Sequence, residues 1–187
     1  MYRVAVVVTF VAVLVGCSGS ADPPAPGNSS GASGGTGDAG GGSSGTSSGG
    51  PSVDGLPTNA ADMNAFLQKK GYASWAKESA LHASTGPHGT MVLSHLNPKL
   101  DASLKAGAAE HPAGSAAVKE FFNGGAVSGW AAYVKTQASS DGGNGWYWYE
   151  VFDATPGASG TQGQGLGVCT GCHSQGKDYV RIPYPLK

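Results

Sequence analysis

The chain has 187 residues, with 11 Lys and Arg against 12 Asp and Glu, a formal net charge of −1, and 32 glycines. A charge this close to zero, with no basic cluster, excludes nucleic-acid binding and polybasic attraction to a membrane surface. No self-similar period of about 20–50 residues is present, which excludes solenoids and propellers.

Met1-Tyr2-Arg3 opens the chain with a basic residue, and residues 4–15 form an apolar run. That run is shorter than the roughly 20 residues needed to span a bilayer and fits the apolar region of a secretory signal. Leu14-Val15-Gly16-Cys17 follows it. These four residues resemble the lipobox of bacterial lipoproteins, which implies cleavage after residue 16 and diacylglyceryl modification of Cys17. The alternative is a plain secretory signal beside a chance cysteine. Acyl chains at Cys17 would anchor the chain stably to a membrane, and export places it on the periplasmic side.

Residues 17–55 are dominated by Gly and Ser, with Pro23, Pro24 and Pro26 near their start. Such a stretch has too little apolar surface to offset its ordering entropy and reads as a flexible tether, with a typical reach on the order of 35 Å. Residues 56–187 then suffice for one domain with one core.

Within that domain Thr58 is the expected N-cap of a helix over about 59–70, in which Met63, Phe66 and Leu67 recur at helical spacing before Gly71. Residues 72–82 read as a second helix or a turn, and Gly86-Pro87-His88-Gly89 as a turn. Residues 90–96 read as a strand. Asn97 and Pro98 then suit the N-cap and first position of a short helix, with Leu100 and Leu104 on one face and Gly107 past its end.

From Ser115 onward the pattern alternates with period two. Strands are expected at about 115–122, 128–136 and 146–153, with Ala117, Lys119 and Phe121 on one face of the first, and Trp146, Trp148 and Glu150 sharing a face of the last. Asn144-Gly145 suits a tight hairpin turn between the last two strands. Residues 154–167 are Gly-rich and read as loop. The expected fold class is α+β, an antiparallel meander with N-terminal helices and a CxxCH site near the C-terminal end.

Cys169-Thr170-Gly171-Cys172-His173 is that site, with fourteen residues after it. Its spacing suits covalent haem c, one per chain, with two thioethers from Cys169 and Cys172 and an iron ligand from His173. A structural zinc site needs four ligands, and a redox dithiol expects a strand and helix of a βαβ unit around it. Neither context is evident. With Cys17 assigned to lipid, no thiol is left for a disulfide.

The motif's position separates the haem proteins. Common electron-transfer cytochromes c carry CxxCH near the N-terminus and a methionine ligand downstream, but no methionine follows His173. Cytochromes c′ place it late but need long helices, against the alternation here. The ordered set His88-Gly89-Thr90 with Asn97, His111 to Ser115 leading into Val118-Lys119-Glu120, Gly145 to Glu150, and CxxCH with Asp178-Tyr179-Val180 resembles the cytochrome P-460 and cytochrome c′-beta family. The resemblance spans nearly all of residues 60–182.

It implies a mainly antiparallel sheet with helices, usually a homodimer, and one haem with His173 as sole strong protein ligand. The open distal side would bind nitric oxide or oxidise a small nitrogen compound such as hydroxylamine, passing electrons to a redox partner protein. Lys119 is the candidate for the lysine-to-haem cross-link of the hydroxylamine-oxidising members, against a reading as a solvent-facing strand lysine. Glu150 is the candidate distal base and Glu120 a second carboxylate for that task, both against readings as ordinary strand residues. The competing function is a six-coordinate electron carrier whose second ligand comes from His82, His88, His95, His111, Met63 or Met91. A third reading is a metal-binding lipoprotein without haem.

Overall fold

The computed structural model describes residues 52, 53 and 56–187. The signal segment, Cys17 and nearly all of the Gly/Ser-rich stretch lie outside them. At the start of the described part, β1 (Ser52–Val53) pairs antiparallel with β2 (Leu56–Pro57). Strand β1 thus lies ahead of the boundary expected at residue 56.

Helix α1 spans Ala60–Gln68, shorter at both ends than the pattern suggested. Its N-cap is Asn59, not Thr58, because Asn59 has extended backbone and its side chain accepts from Asp62 N at 3.0 Å. Met63 and Leu67, four apart, are fully buried. The chain reverses at Lys70 (φ 52), with Gly71 N donating to Phe66 O at 3.0 Å. Gly71 is needed there because the Phe66 ring stands 2.2 Å from where a Cβ would sit.

Residues 72–82 do not form a second helix. They turn and contribute β3 (Ala76–Lys77) and β4 (His82–Ala83), which both pair with the outer edge of β5 (Met91–Leu96). The unpaired backbone of β5 recruits them, and Glu78 strengthens the edge by accepting Ser94 N at 2.6 Å. Helix α2 (Pro98–Lys105) follows β5 directly, so this helix lies between strands and not ahead of the sheet. Asn97 caps it as expected: its Oδ1 accepts from Leu100 N (2.9 Å) and Ala116 N (3.0 Å), and its Nδ2 donates to Gly114 O (2.7 Å).

The remaining strands are β6 (Ala116–Asn123), β7 (Ala126–Lys135), β8 (Trp146–Val151) and β9 (Thr161–Gln164). All neighbours are antiparallel, and the seven-stranded sheet runs β3-β5-β6-β7-β8-β9 with β4 also on β5. The α+β class and the meander are thus present. β9 occupies the stretch expected to be loop, because β8 would otherwise expose its outer edge. The β7–β8 connection is wider than a tight hairpin: positive φ falls on Asp141, Gly142 and Gly143, while Asn144 is right-handed at φ −65.

Alternation along β6, β7 and β8 sends side chains to two faces, and both are covered. Met63, Leu67 and Tyr72 pack on one face against Val118, Trp130 and Tyr149. Leu100, Val180 and Ile182 pack on the other against Ala117, Trp146 and Trp148. Trp146 to Tyr149 therefore bury large rings on both sides of one strand. The final helix, α3 (Gly167–His173), and the extended tail after it lie on the Trp146 and Trp148 face.

Candidate functional site

The CxxCH motif makes up most of α3. Residues three and four apart share a helix face, so Cys169 is flanked on one side by both Cys172 and His173. Together with Lys119, Glu150 and His88 these three residues line one cavity of about 330 Å³. That volume is at the small end of the roughly 300–1,000 Å³ typical of ligand and cofactor sites. Its walls are largely apolar and aromatic, with Tyr133, Trp148 and Ile182 inside and the exposed Val168 and Phe152 at its edge.

Strand parity brings the polar residues there. Ala117 and Lys119 of β6, Tyr133 of β7, and Trp148 and Glu150 of β8 face the same side; the alternation paired Ala117 with Lys119 and Trp148 with Glu150, and the strand register brings the two pairs together. Lys119 is therefore a half-buried cavity residue and not a solvent-facing one. Burial pulls its amine below the ordinary lysine value, Arg181 adds to this, and Glu78 and Glu150 oppose it. Glu120, one residue on, faces the other side. It accepts from Tyr72 Oη (2.7 Å) and His95 Nε2 (3.1 Å), so the expectation that it serves the distal side is corrected. Burial pushes the Glu120 carboxyl up, but these hydrogen bonds outweigh it and leave it below the usual carboxylate range.

His173 is held as a neutral imidazole. Its Nδ1 donates to the Tyr179 carbonyl at 2.8 Å, which leaves Nε2 as the nitrogen with a free lone pair. Burial lowers its pKa to about 4; the Tyr179 bond opposes this and His88, Lys119 and Arg181 reinforce it. Trp148, with ring centroid 4.5 Å away, and Tyr133, at 5.5 Å, pack against the ring. Burial likewise pushes the Cys169 thiol up to about 11, with Glu150 and Cys172 adding to it. A thiol protonated at neutral pH is a weak metal ligand and a slow redox nucleophile.

The Tyr179 carbonyl is placed by a buried ionic network. Lys177 and Val180 exchange backbone bonds of 3.0 and 2.9 Å around Asp178 (φ 47) and Tyr179 (φ 68), a reversal with both central residues left-handed. A tyrosine is rare in that conformation and needs outside support. Asp178 provides it, accepting from Lys135 Nζ (2.8 Å), His111 N (2.6 Å) and Ser140 Oγ. Lys135 is 0% exposed, also meets Glu110 at 3.2 Å, and lies 5.8 Å above the Trp146 ring. Burial alone would raise the Asp178 carboxyl, but the bonds from Lys135, Ser140 and His111 hold it below the ordinary range. Gly143 completes the packing: a Cβ there would stand 2.5 Å from Thr170 Cγ2 of α3.

Of the upstream residues considered as a second iron ligand, His88 is the one that lines the cavity. Its Nδ1 lies 2.5 Å from Glu150 Oε1, and its ring centroid is 6.1 Å from that of His173. His82 pairs with Glu78, His95 with Glu120, and His111 with Ser103; Met63 is in the core of the opposite face, and Met91 does not reach the cavity. Sequence reasoning missed the His88–Glu150 pair, the Lys135–Asp178 pair and the role of Tyr133. Lys135 had left a signal, because it shares the parity of Tyr133 on a strand buried on both sides.

Two buried donors in this wall, Tyr133 Oη and Trp148 Nε1, have no hydrogen-bond partner among the described residues. Buried polar atoms are normally satisfied, so unpaired donors beside a cavity point to a polar group of a ligand. Among the described residues no cluster of three or more His, Cys, Asp or Glu side chains is arranged to hold a metal ion. No family model and no curated protein matches this chain.

Proposed function

We propose that this chain is an exported, lipid-anchored monohaem c-type cytochrome of the cytochrome P-460 and cytochrome c′-beta type, binding nitric oxide or oxidising a small nitrogen compound such as hydroxylamine. One observation carries this reading: Cys169, Cys172, a neutral His173, Lys119 and Glu150 converge on a single apolar cavity. They come from three elements far apart in sequence, so their meeting owes nothing to the motif alone.

The residues present fit the cofactor. The Cys169 and Cys172 thiols would hold the group by thioether bonds to its two vinyl groups, and His173 Nε2 would bind its iron. Tyr133, Trp148 and Arg181 offer donors to the carboxylates of the group. Haem, when bound, supplies a redox-active iron whose behaviour is tuned by the dry aromatic wall. Glu150 accepts a proton from a nitrogenous substrate as it is oxidised, a loss that oxidation of hydroxylamine requires. Lys119, half-buried in the cavity wall, is the lysine that would be joined to a bound haem, a coupling in which an N–H and a ring C–H would be given up to a two-electron oxidant such as a peroxide. Electrons leave to a redox partner protein.

A second reading, a six-coordinate electron carrier without substrate chemistry, is favoured by His88 lining the same cavity. Mass spectrometry and reduced pyridine spectra of the exported chain test the primary reading. One covalent haem is expected, lost in the Cys169→Ser/Cys172→Ser double variant; a chain that matures without haem overturns it. In the same preparation a red-shifted band that vanishes in Lys119→Arg identifies the cross-link, and its absence from the parent assigns the chain to the nitric oxide binders.

A further inference from the structure

We infer that His88 is a second protein ligand of the iron in the resting protein, and that small molecules reach the metal only by displacing it. The inference rests on the haem reading above and names what occupies the face opposite His173. Three observations lead to it.

The first is presentation. His88 Nδ1 is occupied by Glu150 at 2.5 Å, so Nε2 carries the free lone pair, and a carboxylate on the far nitrogen makes an imidazole a stronger ligand. His173 is prepared in the same way by the Tyr179 carbonyl. The cavity thus receives two imidazoles, each tied at Nδ1.

The second is spacing. Two imidazoles bound on opposite sides of one metal, each at about 2 Å, have ring centres roughly 6 Å apart. The His88 and His173 centroids are 6.1 Å apart. The His88 ring also lies near-parallel to that of Phe121, with centroids 5.9 Å apart and 19° between the planes. A histidine serving only as a surface turn residue would need neither contact.

The third is attachment. His173 belongs to a helix fastened by the Asp178 network, whereas His88 sits on the loop between β4 and β5, beside Gly86 and Gly89 (φ 67). Within that loop the hydrogen bonds are short-range, such as Gly89 N to Pro87 O at 3.0 Å and Ser84 Oγ to Gly86 O at 3.1 Å, and its side-chain ties to the sheet are the His88–Glu150 bond and a long bond of 3.4 Å from Thr90 Oγ1 to Phe122 O. His88 can therefore withdraw without disturbing the sheet. When it does, one iron–nitrogen bond breaks, one bond to the incoming ligand forms, and no electron is transferred. Glu150 is then released to take a proton from that ligand.

The test uses the haem-loaded protein, with attachment first confirmed by mass. Ferric electron paramagnetic resonance and near-infrared magnetic circular dichroism should show a low-spin bis-histidine iron in the parent and a high-spin iron in His88→Ala. Added imidazole should return the variant to low spin, which a misfolded pocket would not allow. Nitric oxide binding to the ferrous parent should level off with concentration, limited by loss of His88, and in the variant should be linear and at least tenfold faster. A high-spin parent, or the same linear rate in parent and variant, overturns the assignment while leaving the haem reading intact. A chain without haem overturns both.

Discussion

Lys135 and Asp178 show how one buried ion pair serves a site that neither residue touches. The lysine is fully buried and the aspartate nearly so, with 2.8 Å between Nζ and Oδ2. Their joint effect is to keep a left-handed Asp178-Tyr179 reversal in place and so to aim a carbonyl at His173. Removing one partner strands a buried charge, which costs about 3–5 kcal/mol, whereas removing both is often far cheaper. Lys135→Met should therefore lower stability by about that amount in urea unfolding, and Lys135→Met/Asp178→Asn should regain part of it. A single variant as stable as the parent would contradict the pairing.

Among the elements, the β5–α2 corner is where local chemistry and tertiary contacts agree most closely. Asn97 caps α2, but the same Oδ1 also accepts from Ala116 N at the start of β6, and Nδ2 binds Gly114 O. Replacing it by alanine removes a cap worth about 0.5–2 kcal/mol and leaves buried backbone groups unpaired at about 1–3 kcal/mol each. Asn97→Ala should thus destabilise by about 2–4 kcal/mol, with a lower urea midpoint. A loss below 1 kcal/mol would show that water replaces these bonds. This corner was legible in sequence as Asn-Pro followed by two leucines. β3, β4 and β9 were not, because each is a two- to four-residue strand whose only reason to exist is an unpaired edge beside it.

For the molecule as a whole, buried titratable groups set the pH range of stability. His111 is 1% exposed, its Nδ1 is bound to Ser103 Oγ at 2.8 Å, and burial lowers its pKa, with Lys135 adding to that and Asp178 opposing it. The unfolded chain takes up a proton near the ordinary histidine value of about 6.5 and the folded chain resists it, so stability is full above that pH and falls below it. Asp178 and Glu120, both held below their ordinary values, extend the loss as pH drops through the carboxylate range. The urea midpoint of the protein should be level from pH 8 to 7 and decline from pH 6 to 4. A midpoint unchanged down to pH 4 would refute this.

The sequence by itself determined the elements whose signals are local and repeated. The period-two alternation marked which side chains share a face within each strand, Lys119 with Ala117 and Phe121 in β6, and Glu150 with Trp146 and Trp148 in β8. The CxxCH spacing set two thiols and an imidazole close together, while the helix that carries them came from the structure. Only the tertiary structure decided which upstream residues meet them. Parity says which face a strand residue takes, and so set Glu120 opposite Lys119, but not which partners cross that face: Glu120 met Tyr72 and His95, and His88, on a turn with no periodicity, came to the cavity. The Asp178 network was equally hidden, since its members at 110, 111, 135, 140 and 178 are joined by packing and by no pattern along the chain.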